Sequence, residues 1–544
     1  MKARIAGTGA LVGGLLTAAM ISLMYLGNQI AGLPFAPFDL FNWISRMLPG
    51  AVITFGIDLM IDTLLLLSIN VADTAKLAEQ IMAVTLFLVL GIFTGAFFYI
   101  IIHARNMRLD RVSSLVLGAL FGLPIVAVSV GFGDAKVPAL VSFAWLLVLF
   151  LGWGLALSWS YQRLYPVGKE PSPSEEDVQT VEVLNRRQFL IALGGATAAI
   201  TLVGTGIGAL LSNAERRRRD QVLDGGLAHQ SEGPQGNPFP NADDPVLPVP
   251  GTRPEYTPLK DHYKVFIELE PTVIDGTSWH LPITGLVDNP LMLTLDDLRN
   301  NYQPRDQFVT LSCISGRIAT TLISTTQWTG AGLQEVLADA QVSNRARYLV
   351  ISSGDGFYET IDLDLIASDE RIMLTYDWDG HPLPVDHGYP LRVWIPDRYG
   401  MKQPKWITGI EVVEEYQEGY WVERGWDEVA QVKTTSVIDS VAVDALIEQG
   451  DQTLVPIGGI AFSGARGISK VEVRVNGGPW EAAQLRSPLS ETTWVIWRYD
   501  WPFAAGNHTF EVRCAEGDGT PQIEESHDSR PSGATGIHSV QVDI

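Results

Sequence analysis

Cys313 and a basic segment downstream of it are the side chains best suited to chemistry in this chain. The chain has only two cysteines, and Cys313 lies in the polar turn of Leu311-Ser-Cys-Ile-Ser-Gly-Arg-Ile318, directly after an apolar run that is typical of a strand. The segments His387-Gly-Tyr-Pro-Leu-Arg392 and Lys402-Gln-Pro-Lys-Trp406 add a His, an Arg and two Lys. Thiolates bind soft or high-valent transition metals, and clustered basic side chains bind phosphates through charge-assisted hydrogen bonds. The three segments therefore predict a metal site beside a phosphate-bearing ligand.

In this order and spacing, the segments resemble the sulfite-oxidase family of molybdopterin oxidoreductases. The resemblance covers roughly residues 256–544 and implies a molybdenum–molybdopterin cofactor. It also implies that Cys313 is the protein ligand of molybdenum. The residues that it implies for the pterin and its phosphate are His387, Arg392, Lys402 and Lys405.

Two further positions follow from the same resemblance. Tyr263-Lys264 is similar to a Phe-Tyr-Arg segment that contacts the pterin in many bacterial members of the family. Asp355, in Ser353-Gly-Asp-Gly-Phe357, resembles a segment that lies over the pterin ring. A simple turn is the alternative interpretation for Asp355, because Asp and Gly are both typical turn residues.

The substrate is not fixed by these residues. Sulfite-oxidising members typically carry two consecutive arginines after the cysteine, whereas here Arg317 is followed by Ile318. A less cationic site makes a small oxyanion such as sulfite and a neutral S- or N-oxide comparable hypotheses. Either substrate implies a two-electron oxygen-atom transfer in which Cys313 and Arg317 are the expected catalytic residues.

Composition excludes several other classes of protein. The formal net charge is −23, and it lies entirely beyond residue 212 because residues 1–212 carry equal numbers of basic and acidic side chains. Such an acidic soluble part argues against nucleic acid as a partner. Two cysteines cannot hold an iron–sulfur cluster with four thiolates. Cys514 lies in an alternating strand pattern, where a buried small hydrophobic role is expected.

Long apolar runs in the first 212 residues predict about five transmembrane helices. The predicted spans are residues 5–27, 80–102, 112–132, 137–160 and 188–212. Residues 35–75 are predicted to form an interfacial or re-entrant helix, because Asp58 and Asp62 would each cost roughly 3 kcal/mol at the bilayer centre. A proton path through these two carboxylates is the alternative.

The basic loops predict the orientation of these helices. With the N-terminus inside, the loops that hold Arg4, residues 105–111 and residues 163–187 are all cytoplasmic, as the positive-inside tendency requires. Asn185-Arg-Arg-Gln-Phe-Leu190 resembles a twin-arginine signal, which makes 188–212 a signal anchor. We therefore expect the plasma membrane of a prokaryote and an extracytoplasmic catalytic domain. Arg216–Arg219 favour the opposite, cytoplasmic placement.

The membrane part offers no haem site of its own. His103 is the only histidine among residues 1–212, and a bis-histidine haem needs two. We therefore expect neither haem nor iron–sulfur cluster in this chain. Electrons must then be exchanged with a separate partner, either a haem protein or the quinone pool.

The soluble part contains three segments that differ in their sequence pattern. Residues 213–259 are rich in Pro, Gly, Asn and Asp and predict a linker. Residues 260–432 mix strand-like runs with short capped helices at Leu295–Arg299 and Leu333–Ala340, which predicts an α+β catalytic domain. Residues 433–544 alternate throughout, with a hairpin turn after Val475, and predict an immunoglobulin-like β-sandwich. A homodimer through this sandwich is possible in the family.

The rival hypothesis is a cofactor-free, membrane-tethered binding scaffold that keeps the fold.

Overall fold

The computed structural model describes residues 2–49, 71–105, 109–133, 137–165, 175–223 and 239–544, with isolated positions between them. The chain forms two compact units, one made of Met1–Leu48 with Lys76–Val222 and one that contains Leu223–Ile544. Asp58 and Asp62, which raised the hypothesis of a proton path, lie outside the described residues.

The secondary structure described in the first unit is all helical. Its helices are α1 (Lys2–Ala31), α2 (Ala36–Met47), α3 (Val71–Ala104), α4 (Arg111–Phe132), α5 (Ala139–Leu164) and α6 (Glu175–Leu223). Five stretches are long and apolar enough to cross a membrane, namely Ala3–Ala31, Lys76–Ala104, Arg111–Phe132, Ala139–Leu164 and Arg187–Leu211. They coincide with the five predicted spans. The short α2 lies in the segment for which an interfacial helix was predicted.

Small residues bring the apolar helices into close contact. A Cβ added to Gly13 of α1 would lie only 2.6 Å from the carbonyl oxygen of Gly91 in α3, so the two backbones touch. Such close approach is the usual way in which helices associate inside a membrane. Trp153 of α5 adds a buried hydrogen bond from its Nε1 to the hydroxyl of Thr17, at 3.0 Å.

The first part of the second unit contains one mixed sheet, one antiparallel sheet and three short helices. One sheet has the order β2 (Leu291–Leu293), β1 (Leu281–Gly285), β10 (Ile407–Val413), β5 (Tyr348–Ser353) and β6 (Tyr358–Asp362). The other has the order β3 (Pro304–Ser312), β4 (Ile323–Gly332), β7 (Met373–Trp378) and β8 (His381–Pro382), and β9 (Arg392–Trp394) pairs with β7. The helices are α7 (Leu295–Asn300), α8 (Leu333–Ala340) and α9 (Leu363–Ser368). In the sheet of β1, the pairing of β1 with β10 is parallel and the others are antiparallel. This is a β-rich arrangement of the α+β type.

The last hundred residues form two antiparallel sheets that share one core. The first sheet contains β11 (Thr435–Val441), β12 (Ile447–Gln449), β13 (Gln452–Phe462), β16 (Gln484–Leu485) and β17 (Val495–Pro502). The second contains β14 (Ile468–Val475), β15 (Glu481–Ala482), β18 (Asn507–Glu516) and β19 (His538–Asp543). Buried side chains of both sheets, including Trp497 and Phe510, meet between them. The arrangement is therefore a two-sheet sandwich, and Cys514 is buried in its core as predicted.

The linker prediction needs two corrections. Helix α6 continues to Leu223, beyond the expected end at residue 212. Residues 239–259 are irregular, as expected, but they pack on the sandwich: Val249 and Tyr256 are buried, and the guanidinium of Arg486 pairs with Glu255 at 2.5 Å. This segment is thus held in place by ion pairs and apolar contacts with residues far away in sequence. Its composition alone predicts a flexible linker.

Candidate functional site

Cys313 lies where strand β3 ends. Its amide donates to the carbonyl of Leu322 at 2.9 Å, and its carbonyl accepts from the amide of Gly316 at 3.1 Å, so the chain turns tightly around it. The thiol is half-buried and lies 3.1 Å from the hydroxyl of Ser315. Burial raises the pKa of the Cys313 thiol above its ordinary value. The free thiol is therefore protonated at neutral pH, and a bound metal ion would displace that proton.

Tyr263 is near both Cys313 and the basic residue Arg392. It is buried in the same apolar cluster that Cys313 borders, and its amide donates to the hydroxyl of Ser324 at 3.2 Å. Burial and then the nearby Cys313 raise the pKa of Tyr263 well above its ordinary value, so its hydroxyl stays neutral. The neighbouring Lys264 is more exposed and pairs with Asp386 at 2.5 Å.

Two histidines form the centre of the site. The rings of His387 and His262 meet edge-on with centroids 5.0 Å apart, and each lies 4.7 Å from the ring of Trp378. Both are almost fully buried, and in both the Nε2 atom has no hydrogen-bond partner within the described part of the chain. The Nδ1 of His262 lies 3.1 Å from the carbonyl of Tyr263, so Nδ1 donates and Nε2 is left as an acceptor.

Positive charges surround these histidines. Burial is the main cause that lowers the pKa of His262 to about 3, and Arg392, Lys405 and Lys264 lower it further. Burial likewise lowers the pKa of His387, with His262 and the same three cations as further causes. Both imidazoles are consequently neutral at physiological pH. The predicted residues His387, Arg392, Lys405 and Lys264 are thus brought together around His262, which the sequence interpretation missed.

Arg392 is a buried cation without a carboxylate. Its Nη1 donates to the carbonyl of His387 at 3.0 Å, and the guanidinium carbon lies 4.2 Å from the centroid of the Trp328 ring. Among the described residues no Asp or Glu forms an ion pair with it, and its Nε has no hydrogen-bond partner. Burial lowers the pKa of Arg392 to about 10, so it still carries its charge at pH 7. An unpaired buried ion costs several kcal/mol on the order-of-magnitude scale for proteins, which calls for an anionic ligand.

Lys405 approaches the same region from the other side of Gly388. Its ammonium donates to the carbonyls of Val265 and Asp386, each at 3.1 Å, and lies 4.5 Å from the centroid of the Trp406 ring. Gly388 has a φ of 118°, and a Cβ there would lie 3.1 Å from the Cβ of Lys405. The glycine of the His-Gly-Tyr-Pro motif is therefore required both by its backbone conformation and by the space available.

Lys402 does not join this cluster. Its ammonium is buried against Glu359, with Nζ 2.6 Å from Oε1, and it also donates to the carbonyl of Thr360 at 3.0 Å. The charge of Lys402 is therefore already compensated within the chain. The ion pair favours a structural role for Lys402, and its role as a phosphate ligand stays a prediction.

Asp355 is buried in the turn between β5 and β6. Its Oδ1 accepts a hydrogen bond from the amide of Phe357 at 3.0 Å, which is the local bond of an Asx turn. The amide of Gly354 donates to the carbonyl of Trp406 at 2.8 Å, so the turn is attached to the residue next to Lys405. The alternative interpretation of Asp355, a turn residue, is the one that this geometry favours.

Arg317 is exposed and borders a cavity beside Cys313. The other side of this cavity is formed by the β-sandwich and the segment before it, including Val432 and Lys433. A shared apolar cluster that contains Ile314, Tyr399 and Phe462 joins the cysteine turn to the sandwich. Neither Lys433 nor Tyr399 was singled out from the sequence, because only the fold brings them to the cysteine.

The residues present suit a molybdenum–pterin cofactor by their donor chemistry. The thiol of Cys313 is a ligand for a soft or high-valent metal, and the buried Arg392 lacks an anion. The unpartnered Nε2 atoms of His262 and His387 match the donors and acceptors of a heterocycle. The fold and the side chains of the site are thus compatible with a metal bound by a thiolate and with an anionic organic cofactor.

Comparison with known proteins identifies the domain. Residues 268–421 match the family described as the oxidoreductase molybdopterin binding domain. A mitochondrial sulfite oxidase of Homo sapiens is 29% identical over 340 residues, which is 51% of this chain and 61% of that protein. Residues 268–421 therefore form a molybdopterin-binding domain, and about half of the chain is similar to sulfite oxidases.

Other relatives are named for different substrates. A nitrate reductase (NADPH) of Fusarium oxysporum is 28% identical over 260 residues, or 39% of this chain and 29% of that protein. The protein YedZ1 of Azospira oryzae, provisionally named a protein-methionine-sulfoxide reductase subunit, is 30% identical over 154 residues, or 28% of this chain and 56% of that protein. The chain spans about three fifths of the length of the sulfite oxidases that it matches.

Proposed function

We propose that the chain is a membrane-anchored molybdopterin oxidoreductase that transfers an oxygen atom to or from a small substrate, with Cys313 as the protein ligand of molybdenum. The proposal rests above all on the buried, carboxylate-free guanidinium of Arg392 beside two histidines with unpartnered nitrogens. In a cofactor-free protein such a cluster would be unfavourable, because no ion pair offsets the desolvation of the guanidinium.

Each side chain has a distinct task in this proposal. The thiolate of Cys313 binds the metal, and Arg392 and Lys405 bind the phosphate of the pterin. His262 and His387, both neutral, accept or donate hydrogen bonds without adding charge. The hydroxyl of Tyr263 interacts electrostatically with both Cys313 and Arg392 and stays protonated, because burial raises its pKa well above the ordinary value. When bound, the molybdenum centre supplies the two-electron redox chemistry, while the protein positions the cofactor and tunes its electrostatics.

The partners follow from the membrane part. We propose that the five apolar helices anchor the protein in the plasma membrane of a prokaryote, with the lipid bilayer as the immediate partner. Electrons are exchanged with a separate haem protein or with the quinone pool. The catalytic domain lies on the extracytoplasmic side, in accordance with the cytoplasmic placement of the basic loops and the twin-arginine-like segment at 185–190. The sandwich, which we propose to be immunoglobulin-like, offers a surface for a homodimer.

Topology can be tested independently of activity. Protease added outside intact cells is expected to release fragments of the soluble unit. Release only after the membrane is disrupted would place that unit in the cytoplasm, as Arg216–Arg219 alone suggest.

The second candidate function is a cofactor-free binding scaffold. It is the only one of the alternatives that predicts no molybdenum in the purified protein. Metal analysis of the full chain, produced in a host that makes the cofactor, separates the two. A molybdenum and pterin content near one per chain supports the enzyme, and absence of both supports the scaffold.

A further inference from the structure

Three helices of the first unit bring their ends together beside Trp145. Near the C-terminal end of α1, Tyr25 packs on Gly208 of α6, where an added Cβ would lie 2.6 Å from its ring. The C-terminal ends of α1 and α6 therefore lie side by side. The N-terminal end of α5 is there too, because a Cβ at Gly27 of α1 would lie 2.8 Å from the ring of Trp145. The chain continues from α6 into the second unit, so it leaves the bundle at this end.

Three polar groups at this end are buried without a hydrogen-bond partner among the residues that the structure describes. They are the hydroxyls of Ser129 in α4 and Ser142 in α5, both side chains being 1% exposed, and the indole Nε1 of Trp145. Ser142 and Trp145 are three residues apart and share one face of α5. Gly122 of α4 packs against Phe150 of α5, and this antiparallel pairing, continued for about two turns, places Ser129 opposite Ser142.

Other hydroxyls of the bundle are satisfied by their own helix. Ser114, Ser160 and Thr197 each donate to the carbonyl four residues earlier, at 2.7–2.9 Å. Within the described helices, Ser129 and Ser142 make no such bond. Unsatisfied donors are unfavourable in an apolar bundle, because lipid tails cannot replace the missing partner. Three of them at one end of the bundle indicate a ligand that carries acceptor atoms.

Helix α2 packs on α4 at the same end of the bundle. A Cβ at Gly133, one turn beyond Ser129, would lie 2.9 Å from the carboxylate of Asp39 in α2. Phe35, at the start of α2, meets the ring of Tyr25 with centroids 5.9 Å apart. Aromatic rings and a carboxylate that can exchange protons are thus found at the same end as the three donors.

Neutral donors and aromatic rings in a membrane helix bundle favour one class of ligand. A phosphate headgroup would call for lysine or arginine, and the three donors are all neutral. A lipid-soluble para-quinone has two carbonyl acceptors on a flat ring that packs against aromatic side chains. We propose that Ser129, Ser142 and Trp145 form the headgroup site of such a quinone. The inference rests on the proposed function and selects the quinone pool, rather than a separate haem protein, as the electron partner.

The stoichiometry of the two reactions agrees. Transfer of an oxygen atom from water to a substrate releases two electrons and two protons, and reduction of one quinone to the quinol takes up two of each. In the opposite direction, oxidation of one quinol supplies the two electrons and two protons that reduce an S- or N-oxide, whose oxygen leaves as water. Ser129, Ser142 and Trp145 donate hydrogen bonds to the carbonyl oxygens and are neither oxidised nor reduced.

The test measures the binding of a decyl-substituted benzoquinone to the full-length, molybdenum-loaded protein in phosphatidylcholine nanodiscs by calorimetry, with empty nanodiscs as the background. Trp145→Phe removes the indole N–H but keeps an aromatic ring, and Ser142→Ala removes the hydroxyl. Each change should weaken binding about three- to tenfold, the scale of one hydrogen bond, and the double variant should bind more weakly still. The melting temperatures should stay near that of wild type, because neither change breaks a bond within the described part of the protein.

Ser158→Ala is the matched control. Ser158 is also 1% exposed, lies on α5 and lacks a partner among the described residues, but it is about four turns away from Ser142, toward the opposite end of the bundle. Its replacement should leave the quinone affinity unchanged. Decylbenzene, which has the tail but no carbonyl group, should not compete with the quinone. Equal competition by decylbenzene would overturn the inference, because the site would then recognise only an apolar chain.

A photoreactive azido-benzoquinone gives a readout on wild type alone. Its label is expected within residues 129–145 or on α2, and labelling confined to other parts of the bundle overturns the inference. Unchanged quinone affinity in the folded, molybdenum-containing double variant overturns the inference and leaves the proposed function intact. A wild-type protein that binds quinone through Trp145 and Ser142 but contains no molybdenum supports the site and overturns the proposed function.

Discussion

The rings of His262 and His387 meet edge-on with centroids 5.0 Å apart, deep in the catalytic domain and at the centre of its basic cluster. Protonation of either ring would place a second cation beside Arg392, and burial already disfavours the protonated form. Burial, together with the nearby cations, therefore keeps both imidazoles neutral over the physiological pH range. This property gives the site an acid sensitivity that can be measured.

The stability of the protein should fall below pH 6.5 through these histidines. The pKa of His262 falls from an ordinary value of 6.5 to about 3 in the fold. Between these values the unfolded chain binds a proton that the native site does not, so stability is present above pH 6.5 and declines as the pH falls toward 3. At pH 5 the loss is about 2 kcal/mol for one such histidine. The melting temperature of His262→Phe should accordingly drop less between pH 8 and pH 5 than that of wild type.

The exposed His527 provides the control for this prediction. Its side chain is 60% exposed, so His527→Phe shows the effect of replacing a histidine by phenylalanine outside the buried site. Equal pH dependence in His262→Phe and wild type would show that His262 is not buried in the neutral form.

Replacement of Arg392 by methionine should separate cofactor binding from folding. The variant should lose the pterin because the buried cation for its phosphate is gone. The cofactor-free form should be as stable as cofactor-free wild type or more so, because a buried unpaired charge is replaced by an apolar group. The measurements are pterin fluorescence after oxidation and the melting temperature of the cofactor-free proteins.

Arg486 is the matched comparison for Arg392. It is also a buried arginine, but it pairs with Glu255 at 2.5 Å. Loss of one partner of a buried pair costs about 3–5 kcal/mol, so Arg486→Met should be clearly destabilised. If the cofactor-free forms of Arg392→Met and Arg486→Met lost similar stability, Arg392 would be a structural residue like Arg486.

Lys402 should behave as a structural residue rather than as a phosphate ligand. Lys402→Met leaves the carboxylate of Glu359 buried without a partner, which should destabilise the protein by about 3–5 kcal/mol. The double variant Lys402→Met/Glu359→Gln should recover part of this loss and keep its pterin. A Lys402→Met protein that folds normally but lacks pterin would instead support the phosphate-binding role implied by the family resemblance.

Much of the fold could be predicted because its signals are local. The capping residue Thr294 accepts from the amide of Asp297 and begins α7 at Leu295, as predicted. The hairpin after Val475 forms through the pairing of Glu472 with Ala482. The predicted membrane spans depend only on length and apolar composition, and the five apolar helices of the structure coincide with them.

The parts of the site that could not be predicted depend on contacts between distant residues. Glu359, the partner of Lys402, lies 43 residues away in sequence and carries no motif. His262 stands where the similar family segment has Phe, so a comparison of motifs passes over it. Lys433 reaches the cavity only because the sandwich packs against the cysteine turn. Sequence spacing indicated which residues could do chemistry, but the fold decides which of their charges are already compensated.

The most direct test of the central claim is metal and pterin analysis of the detergent-purified protein beside Cys313→Ser and Cys514→Ser. Cys514 is the matched control because its thiol is buried in the sandwich core, where burial raises its pKa to about 12. We predict molybdenum and pterin near one per chain in wild type and in Cys514→Ser, and loss of oxygen-atom transfer in Cys313→Ser with the fold retained. Absence of both components from wild type, or full activity in Cys313→Ser, would contradict the account.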